Sequence, residues 1–332
     1  MRLPILECRS DERIFHRLKE WILIRNGRLD MKKNMIYIVA GTVIGLGGML
    51  LSRRRREMWA IQWNRHSRSV PHRVALVTGA SSGIGEAYAT RLASMGYDLI
   101  LVARREERLQ DLASKVIEGY HVRGEVLAAD LSTNKGIHRV EQRILERSDV
   151  DFLVHAAGYD EFGLFKDIPI EKTLGLINCL LLASVRLCRA ALPGMLERRF
   201  GAIVNVSSIG AFTPKSHDST YVASKAYLNM FTETLAIELI GTGIRVQTLC
   251  PGFTLSEFHD DPQYAKYRLK ERIPRWLWMT SEEVVEGSLH ALAENRVVCV
   301  PGLKNQIIVA ISRTGLTSLL MSYLRKLLQR RE

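Results

Sequence analysis

Short apolar runs alternate with longer amphipathic segments along most of this chain. The runs span residues 74–77, 99–103, 125–129, 152–155, 202–206, 245–250 and 297–300. A short, continuous apolar run is typical of a strand buried on both faces of a parallel sheet, and the segments between the runs have a helical period. The pattern therefore predicts an α/β fold with one doubly wound parallel sheet, and residues 72–303 have a suitable length for it.

A glycine-rich turn follows the first run and opens the next helix. Residues 78–85 read Thr-Gly-Ala-Ser-Ser-Gly-Ile-Gly. Gly79, Gly83 and Gly85 allow a tight turn and a close backbone approach, and the amides at the start of a helix attract an anion. The turn suits a phosphate, although an ordinary loop can contain the same glycines.

Tyr221 and Lys225 stand four residues apart, a spacing that places both side chains on one face of a helix. A phenol with its ordinary pKa of about 10 is a poor proton donor and acceptor near neutral pH. We expect the Lys225 ammonium to lower the pKa of Tyr221 and so to allow general acid and base catalysis. Taken alone, the spacing also fits a surface pair on an amphipathic helix.

Five short motifs follow one another along the predicted domain. They are Thr78-Gly79 with Gly83-Ile84-Gly85, Asp130-Leu131, Ala156-Ala157-Gly158, Ser207-Ser208 with Tyr221 and Lys225, and Pro251-Gly252. By these motifs, their order and their spacing, the chain resembles the short-chain dehydrogenase/reductase family across residues 72–303. The resemblance implies a Rossmann-like fold, a single catalytic domain and a nicotinamide dinucleotide cofactor.

The resemblance also implies catalytic roles for Ser208, Tyr221, Lys225 and Asn178. Tyr221 would exchange a proton with the substrate oxygen, Lys225 would lower the pKa of Tyr221 and hold the nicotinamide ribose, and Ser208 would bind the substrate carbonyl. Asn178 matches the family asparagine that helps to hold a water in the proton relay, and a helix-capping or buried amide is its alternative role. Ser208 is preferred to Ser207 because it has the family spacing to Tyr221.

The same resemblance indicates where the cofactor binds. The matching residues are Gly79, Ser81, Ser82, Gly83, Ile84, Gly85, Arg104, Arg105, Asp130, Leu131, Ala156, Ala157, Gly158, Tyr221, Lys225, Pro251, Gly252 and Ser256. NAD-dependent members have an aspartate after the second strand, where this chain has Arg104 and Arg105. A guanidinium suits a 2′-phosphate, so NADP is the predicted cofactor; a solvated charge run is the alternative reading of these arginines.

His155 departs from the family pattern, which has an asparagine at this position. We expect a buried, hydrogen-bonded histidine without a catalytic role, because no metal-ligand cluster accompanies it in the sequence. No metal is predicted.

Two variable segments, residues 159–165 and 253–279, are expected to determine the substrate. Their large apolar side chains are Phe162, Leu164, Phe165, Phe258, Tyr264, Tyr267, Trp276, Leu277, Trp278 and Met279. These residues favour a small lipophilic substrate, although they can equally serve to pack the second segment onto the core.

The two ends of the chain predict an association with a membrane. Residues 35–51 carry no charge and form a predicted single-pass transmembrane anchor, at the short end of the roughly 17 to 25 residues that a span needs. A cleaved signal peptide is the alternative, but no small-residue cleavage pattern precedes the arginines at 53–56. Residues 1–34 give no motif and residues 52–71 form a basic linker. Residues 304–332 predict a basic amphipathic helix, suited to a membrane surface or to packing on the domain or on a second subunit.

The distribution of charge favours a membrane over a nucleic acid as the partner. The net charge is +12, but its basic excess lies in residues 1–73 and 304–332, while the predicted domain is slightly acidic. The arginines that follow the anchor predict a catalytic domain on the cytosolic side. Five cysteines without paired spacing fit a reducing compartment.

We therefore expect a membrane-anchored, NADP(H)-dependent oxidoreductase that interconverts a carbonyl and a hydroxyl on a fatty-acyl, sphingoid or steroid-like substrate. Two alternatives stay open. One is an NAD-dependent alcohol or hydroxysteroid dehydrogenase that works oxidatively, and the other is a non-catalytic dinucleotide-binding sensor or scaffold at the membrane. A homo-oligomer is expected from the family resemblance alone.

Overall fold

The computed structural model describes residues 73–260 and 273–313 of the chain. The predicted segments 1–34, 35–51 and 52–71 lie outside the described residues, as do Tyr264, Tyr267 and residues 314–332 of the predicted terminal helix. The membrane anchor and its orientation therefore stay predictions.

Seven parallel strands form one sheet in the order β3-β2-β1-β4-β5-β6-β7. Their bounds are β1 Arg73–Thr78, β2 Tyr97–Ala103, β3 Gly124–Ala128, β4 Val150–His155, β5 Gly201–Val206, β6 Ile244–Leu249 and β7 Val298–Cys299. Each apolar run seen in the sequence coincides with one of these strands, and the ends differ by one or two residues. The prediction of a Rossmann-like parallel sheet is confirmed.

Helices alternate with the strands and cover both faces of the sheet. Their bounds are α1 Gly83–Ser94, α2 Glu106–Tyr120, α3 Asn134–Arg147, α4 Ile170–Ile177, α5 Ala183–Arg198, α6 Ser219–Glu238, α7 Ser281–Ala293 and α8 Leu303–Arg313. A π turn, Asn178–Leu182, joins α4 to α5. Short 3-10 turns occur at Phe165–Asp167, Ile209–Phe212, Glu257–Asp260 and Arg275–Leu277.

Side chains on β1 alternate between the two apolar layers of the domain. Ala75 and Val77 pack in the layer that also contains residues of α1, α2 and α7. Val74 and Leu76 pack in the opposite layer, which contains residues of α3 and α5. Because both faces of the strand are buried, its sequence is apolar at successive positions rather than at every second one.

One helical stretch among the described residues, Ile170–Arg198, is long and apolar enough to cross a membrane. Leu176, Leu180 and Leu187 on this stretch are fully buried in the domain. Packing in the domain core accounts for its apolar composition, so the stretch gives no support to a membrane span.

Candidate active site

A cleft of about 1020 Å³ lies at the carboxyl ends of the strands. The order of the strands reverses between β1 and β4, and open α/β sheets bind their ligands at such a point. The predicted residues that line the cleft are Gly79, Ser81, Ser82, Gly83, Ile84, Gly85, Arg104, Arg105, Asp130, Leu131, Ala156, Ala157, Gly158, Ser208, Tyr221, Lys225, Pro251, Gly252 and Ser256. Asn178 does not line it, although its neighbour Cys179 does.

The glycine turn after β1 has the shape of a phosphate cradle. Gly79 has a φ of +69°, and a Cβ atom there would lie only 2.8 Å from the backbone of Ala157. A Cβ atom on Gly85 would collide with the carbonyl oxygen of Gly79, so helix α1 packs directly on the turn. The side chain of Ser82, the N-cap of α1, does not bond to the first amides of that helix. Those amides are left to bind an anion, which fits a dinucleotide.

Arg105 connects the glycine turn to the segment that follows β6. Its Nη2 atom donates to the hydroxyls of Ser81 and Ser82 at 3.1 and 3.2 Å, and its Nη1 atom donates to the Glu257 carboxylate at 2.8 Å. The Arg104 guanidinium lies 5.9 Å from the centre of the Tyr159 ring. Two guanidinium groups beside the phosphate turn fit a cofactor that carries a 2′-phosphate.

Asp130 and Asn178 both hold the backbone at Ser132. Asp130 Oδ1 accepts hydrogen bonds from the amide and the hydroxyl of Ser132 at 3.0 and 2.8 Å. Asn178 Nδ2 donates to the Ser132 carbonyl oxygen at 2.9 Å. Asn178 also begins the π turn, a feature found frequently at functional sites. This bond supports the loop after β3 and fits the structural alternative for Asn178, while its place in a proton relay stays a prediction.

Ser208, Tyr221 and Lys225 lie together in the cleft. Ser208 Oγ accepts a hydrogen bond from the Gly210 amide at 3.0 Å, which leaves the hydroxyl hydrogen available to a neighbouring oxygen. Hydrogen bonding between the Ser208 hydroxyl and the phenol acts to lower the pKa of Tyr221. Ser207 is used differently, because its buried hydroxyl donates to the backbone carbonyl of Lys225 at 2.8 Å.

Lys225 is buried beside the Tyr221 ring. Its Nζ atom donates to the Val206 carbonyl oxygen at 2.7 Å and lies 5.4 Å from the centre of the phenol ring. Burial lowers the pKa of Lys225 to about 8, so the ammonium form still predominates at neutral pH.

The expected lowering of the Tyr221 pKa is not found. Burial of the phenol, and after it the carboxylates of Asp160 and Asp218, raises the pKa of Tyr221 above its ordinary value. A phenolate in this half-buried position would be poorly hydrated and would face two negative charges, which outweighs the hydrogen bonding from Ser208. The phenol is therefore protonated near neutral pH, which is the form that can donate a proton to a carbonyl oxygen.

Asp160 and Asp218 are cleft residues that the sequence analysis missed. Their exposed fractions are 5% and 4%, and the Lys215 ammonium pairs with Asp218 at 2.8 Å. Asp160 stands beside Glu161 in the segment 159–165, whose other residues are aromatic or apolar, and these two acidic residues were the available signal. The cleft thus combines two buried carboxylates with the neighbouring phenol.

The aromatic residues predicted for the substrate end divide into three groups. Phe258 lines the cleft, with its ring centre 6.0 Å from that of Tyr221. Trp278 is buried against Phe253 and His259, at ring distances of 5.5 and 5.0 Å. Trp276 and Phe165 lie at the surface instead, as do Leu164 and Leu255. Phe258 thus lines the cleft and Trp278 packs the segment, while the lipophilic substrate stays a prediction.

His155 lies at the end of β4, between Thr78 and Asn205 on the neighbouring strands. It is buried, as expected, and burial lowers its pKa to about 3, so the ring is neutral. The expected hydrogen bond is missing at Nε2, which has no partner among the described residues. Within residues 73–260 and 273–313, no group of three or more His, Cys, Asp or Glu side chains could hold a metal ion.

Comparison with known proteins finds a family whose members resemble this chain. The profile of the family described as short chain dehydrogenase matches residues 73–264. The chain is 33% identical to a short-chain dehydrogenase from Sphingobium yanoikuyae solved in complex with NADPH, with a TM-score of 0.66 over 74% of this chain and 94% of that one. It is 30% identical to the bulky-bulky ketone specific alcohol dehydrogenase from Comamonas testosteroni, with a TM-score of 0.62 over 74% and 93%.

The names of two curated relatives differ in what they say about activity. The chain is 38% identical over 181 residues to "Inactive hydroxysteroid dehydrogenase-like protein 1" of Homo sapiens, a match that covers 54% of this chain and 55% of the relative. It is 35% identical over 189 residues to the "Very-long-chain 3-oxoacyl-CoA reductase" of Anas platyrhynchos, covering 55% and 60%. The matches thus span little more than half the length of these relatives.

Proposed function

Because this chain belongs to the short-chain dehydrogenase family, we propose that it is an NADP(H)-dependent oxidoreductase that interconverts a carbonyl and a hydroxyl group on a lipophilic substrate. One observation carries this proposal. Ser208, Tyr221 and Lys225 line the same cleft as the glycine turn and the two arginines that follow β2.

The chemistry of the three side chains supports carbonyl reduction. In this direction the Ser208 hydroxyl donates a hydrogen bond to the substrate carbonyl oxygen, because its own oxygen already accepts from the Gly210 amide. Bound NADPH supplies the hydride for the carbonyl carbon. Tyr221 donates its proton to the developing alkoxide, and the nearby Lys225 ammonium stabilises the phenolate that remains. Asn178 acts from outside the cleft through the backbone of Ser132.

The preference for NADP(H) rests on Arg104 and Arg105. No aspartate follows β2, and Arg105 already binds two hydroxyls of the phosphate turn. A 2′-phosphate would replace these neutral hydroxyls and form a stronger, charge-assisted and bidentate bond with Arg105. The NADPH complex of the Sphingobium relative supports this choice.

A lipophilic substrate is supported by Phe258 in the cleft and by the names of two relatives. One relative is named as specific for bulky ketones and another as a very-long-chain 3-oxoacyl-CoA reductase. We propose that this chain shares a large, apolar carbonyl substrate with them, of the fatty-acyl, sphingoid or steroid-like kind.

We further propose a single-pass anchor at residues 35–51, with the catalytic domain in the cytosol. The proposal rests on the uncharged stretch and on the arginines at 53–56. A double variant, Val43→Arg with Leu46→Arg, should move the protein from the membrane fraction to the soluble fraction. If the wild type and the double variant both remain in carbonate-washed membranes, residues 35–51 are not the anchor.

A homo-oligomer is also proposed, with α6 as part of the contact. Met230 and Ile237 are exposed at 67% and 68% on that helix, an unfavourable arrangement for an isolated subunit. Light scattering of the detergent-solubilised protein measures the number of chains directly.

The experiment that tests the function is NADPH oxidation with ketones graded from short and soluble to long-chain and steroidal. We expect turnover to rise with apolar size and to disappear in Tyr221→Phe, while that variant still binds NADPH. Tyr221→Phe removes one hydroxyl from a site that otherwise keeps its shape. Full activity in that variant would refute the role of the tyrosine.

A second candidate is a dinucleotide-binding protein without catalytic activity. The word "Inactive" in the name of the human relative favours it, and the raised pKa of Tyr221 makes the phenol a weak acid. Tight NADPH binding without turnover on any ketone or alcohol in the panel would support this candidate over the enzyme.

A further inference from the structure

Glu257 holds two arginines beside the predicted 2′-phosphate pocket. Its Oε2 atom accepts a hydrogen bond from Arg105 Nη1 at 2.8 Å, and its Oε1 atom accepts one from Arg108 Nη1. These bonds, the one from Arg108 first, lower the pKa of Glu257. The carboxylate is therefore ionised at neutral pH and carries a full negative charge at this place.

These bonds occupy three of the five N–H donors of Arg105, including both donors on Nη2. Its Nη1 atom is bound to Glu257, and its Nη2 atom is bound to the hydroxyls of Ser81 and Ser82. A phosphate that engages the guanidinium fork in a bidentate way needs two of its N–H groups. Hence a bidentate 2′-phosphate has to displace a serine hydroxyl from Nη2, the Glu257 carboxylate from Nη1, or both, and Glu257 is the charged competitor among them.

The charges make this displacement specific to the phosphorylated cofactor. A 2′-phosphate is an anion, and Glu257 repels it as well as competing with it for Arg105. A 2′-hydroxyl is neutral and lacks both effects. The exposed fractions of the Arg105 and Glu257 side chains are both 44%, so the pair is screened by water and the penalty is modest.

We infer that Glu257 is a specificity-determining residue, which competes with the 2′-phosphate of NADP(H) for Arg105 and thereby weakens the binding of NADP(H) relative to NAD(H). This inference rests on the proposed function, because it assumes that Arg105 is the 2′-phosphate ligand. Glu257, in the segment after β6, thus opposes the preference for NADP(H) that Arg104 and Arg105 produce.

The test measures dissociation constants of NADPH and NADH by nicotinamide fluorescence with the full chain, in the absence of substrate. Glu257→Gln removes the negative charge and should tighten NADPH binding about fivefold, whereas NADH should change by less than about twofold. Glu257→Lys adds a positive charge and should extend the same trend. Thermal unfolding of each variant establishes that the fold is kept.

The matched control is Glu107→Gln. Glu107 stands two residues after Arg105 and is exposed on α2, and within the described ranges it forms no ion pair. Glu107→Gln removes the same charge close to the same arginines but breaks no bond to Arg105. The dissociation constants of NADPH and NADH should therefore both stay nearly unchanged.

The outcomes separate this inference from the proposed function. A wild-type chain that prefers NADPH, together with no gain in Glu257→Gln, overturns the role of Glu257 and leaves the cofactor proposal intact. Equal gains for NADPH and NADH, or an equal gain in Glu107→Gln, also overturn it. A wild-type preference for NADH that Glu257→Gln converts into a preference for NADPH supports the role of Glu257 and refutes the proposed cofactor.

Discussion

Lys225 lies with its Nζ atom 5.4 Å from the centre of the Tyr221 ring and is fixed there by a 2.7 Å hydrogen bond to the Val206 carbonyl oxygen. The bond uses one of the three N–H donors of the ammonium, so the others are available to a ligand. The cation is thus held near the phenol by a backbone carbonyl of β5, and the Asp160 carboxylate acts on both groups.

Removal of this cation should impair turnover more than folding. Lys225→Met keeps the length of the side chain but cannot stabilise a phenolate or bind a ribose hydroxyl. We expect kcat to fall by about a hundredfold or more, a typical contribution of acid and base catalysis. The control Lys172→Met removes an exposed lysine paired with Glu161 and should retain full activity. Equal activity in the two variants would contradict the assigned role.

Asp160 should set the pH dependence of the reduction. Its carboxylate raises the pKa of Tyr221, so Asp160→Asn should lower that pKa. Carbonyl reduction needs the protonated phenol, and its rate is lost as the pH rises through the pKa of the phenol. The alkaline limb of the kcat profile should therefore move to lower pH in Asp160→Asn.

The control for this shift is Asp167→Asn, which removes an exposed carboxylate paired with Lys166. Its pH profile should coincide with that of the wild type. A profile of Asp160→Asn that moves to higher pH, or does not move, would show that this carboxylate does not act on the phenol.

The two adjacent serines should give different defects. Ser208→Ala removes a hydroxyl that lines the cleft and should lower kcat by about a hundredfold, with a loss of about 1 kcal/mol of stability from the unpaired Gly210 amide. Ser207→Ala removes a buried hydrogen bond to the Lys225 carbonyl, so its main effect should be to destabilise the fold by about 0.5 to 1.5 kcal/mol. Thermal unfolding and steady-state kinetics of both variants measure the two effects. The reverse pattern would make Ser207 the residue that acts on the substrate.

Much of the fold was predictable because its signals are local. Strands β1, β2, β4, β5 and β6 are largely buried and therefore read mostly as apolar runs. The short β7, Val298–Cys299, was also found, because it lies inside a longer apolar stretch. The glycine turn was equally readable, since close packing on the backbone excludes other side chains there.

The electrostatics of the site were less predictable because they depend on residues distant in the sequence. The sequence places Lys225 one helical turn from Tyr221, which suggests a lowered pKa. Burial and the carboxylates of Asp160 and Asp218 reverse that sign; Asp218 stands only three positions before Tyr221, whereas burial and the approach of Asp160 follow only from the folded chain. The pair of Arg105 and Glu257 is a further case, since these residues are separated by 152 positions.

The contact between Gly85 and the turn should limit both stability and cofactor binding. A Cβ atom at position 85 would meet the Gly79 carbonyl oxygen, which is backbone and cannot rotate away. Gly85→Ala should therefore displace α1 from the turn, lower the melting temperature and weaken NADPH binding by about tenfold or more. Gly119→Ala is the matched control, because a Cβ atom there has no neighbour within 4 Å. Alanine in a helix is favoured over glycine by about 0.5 to 1 kcal/mol, so this control should melt at the same or a slightly higher temperature and bind NADPH normally. If both variants bind NADPH like the wild type, the close packing of α1 on the turn is not what forms the phosphate site.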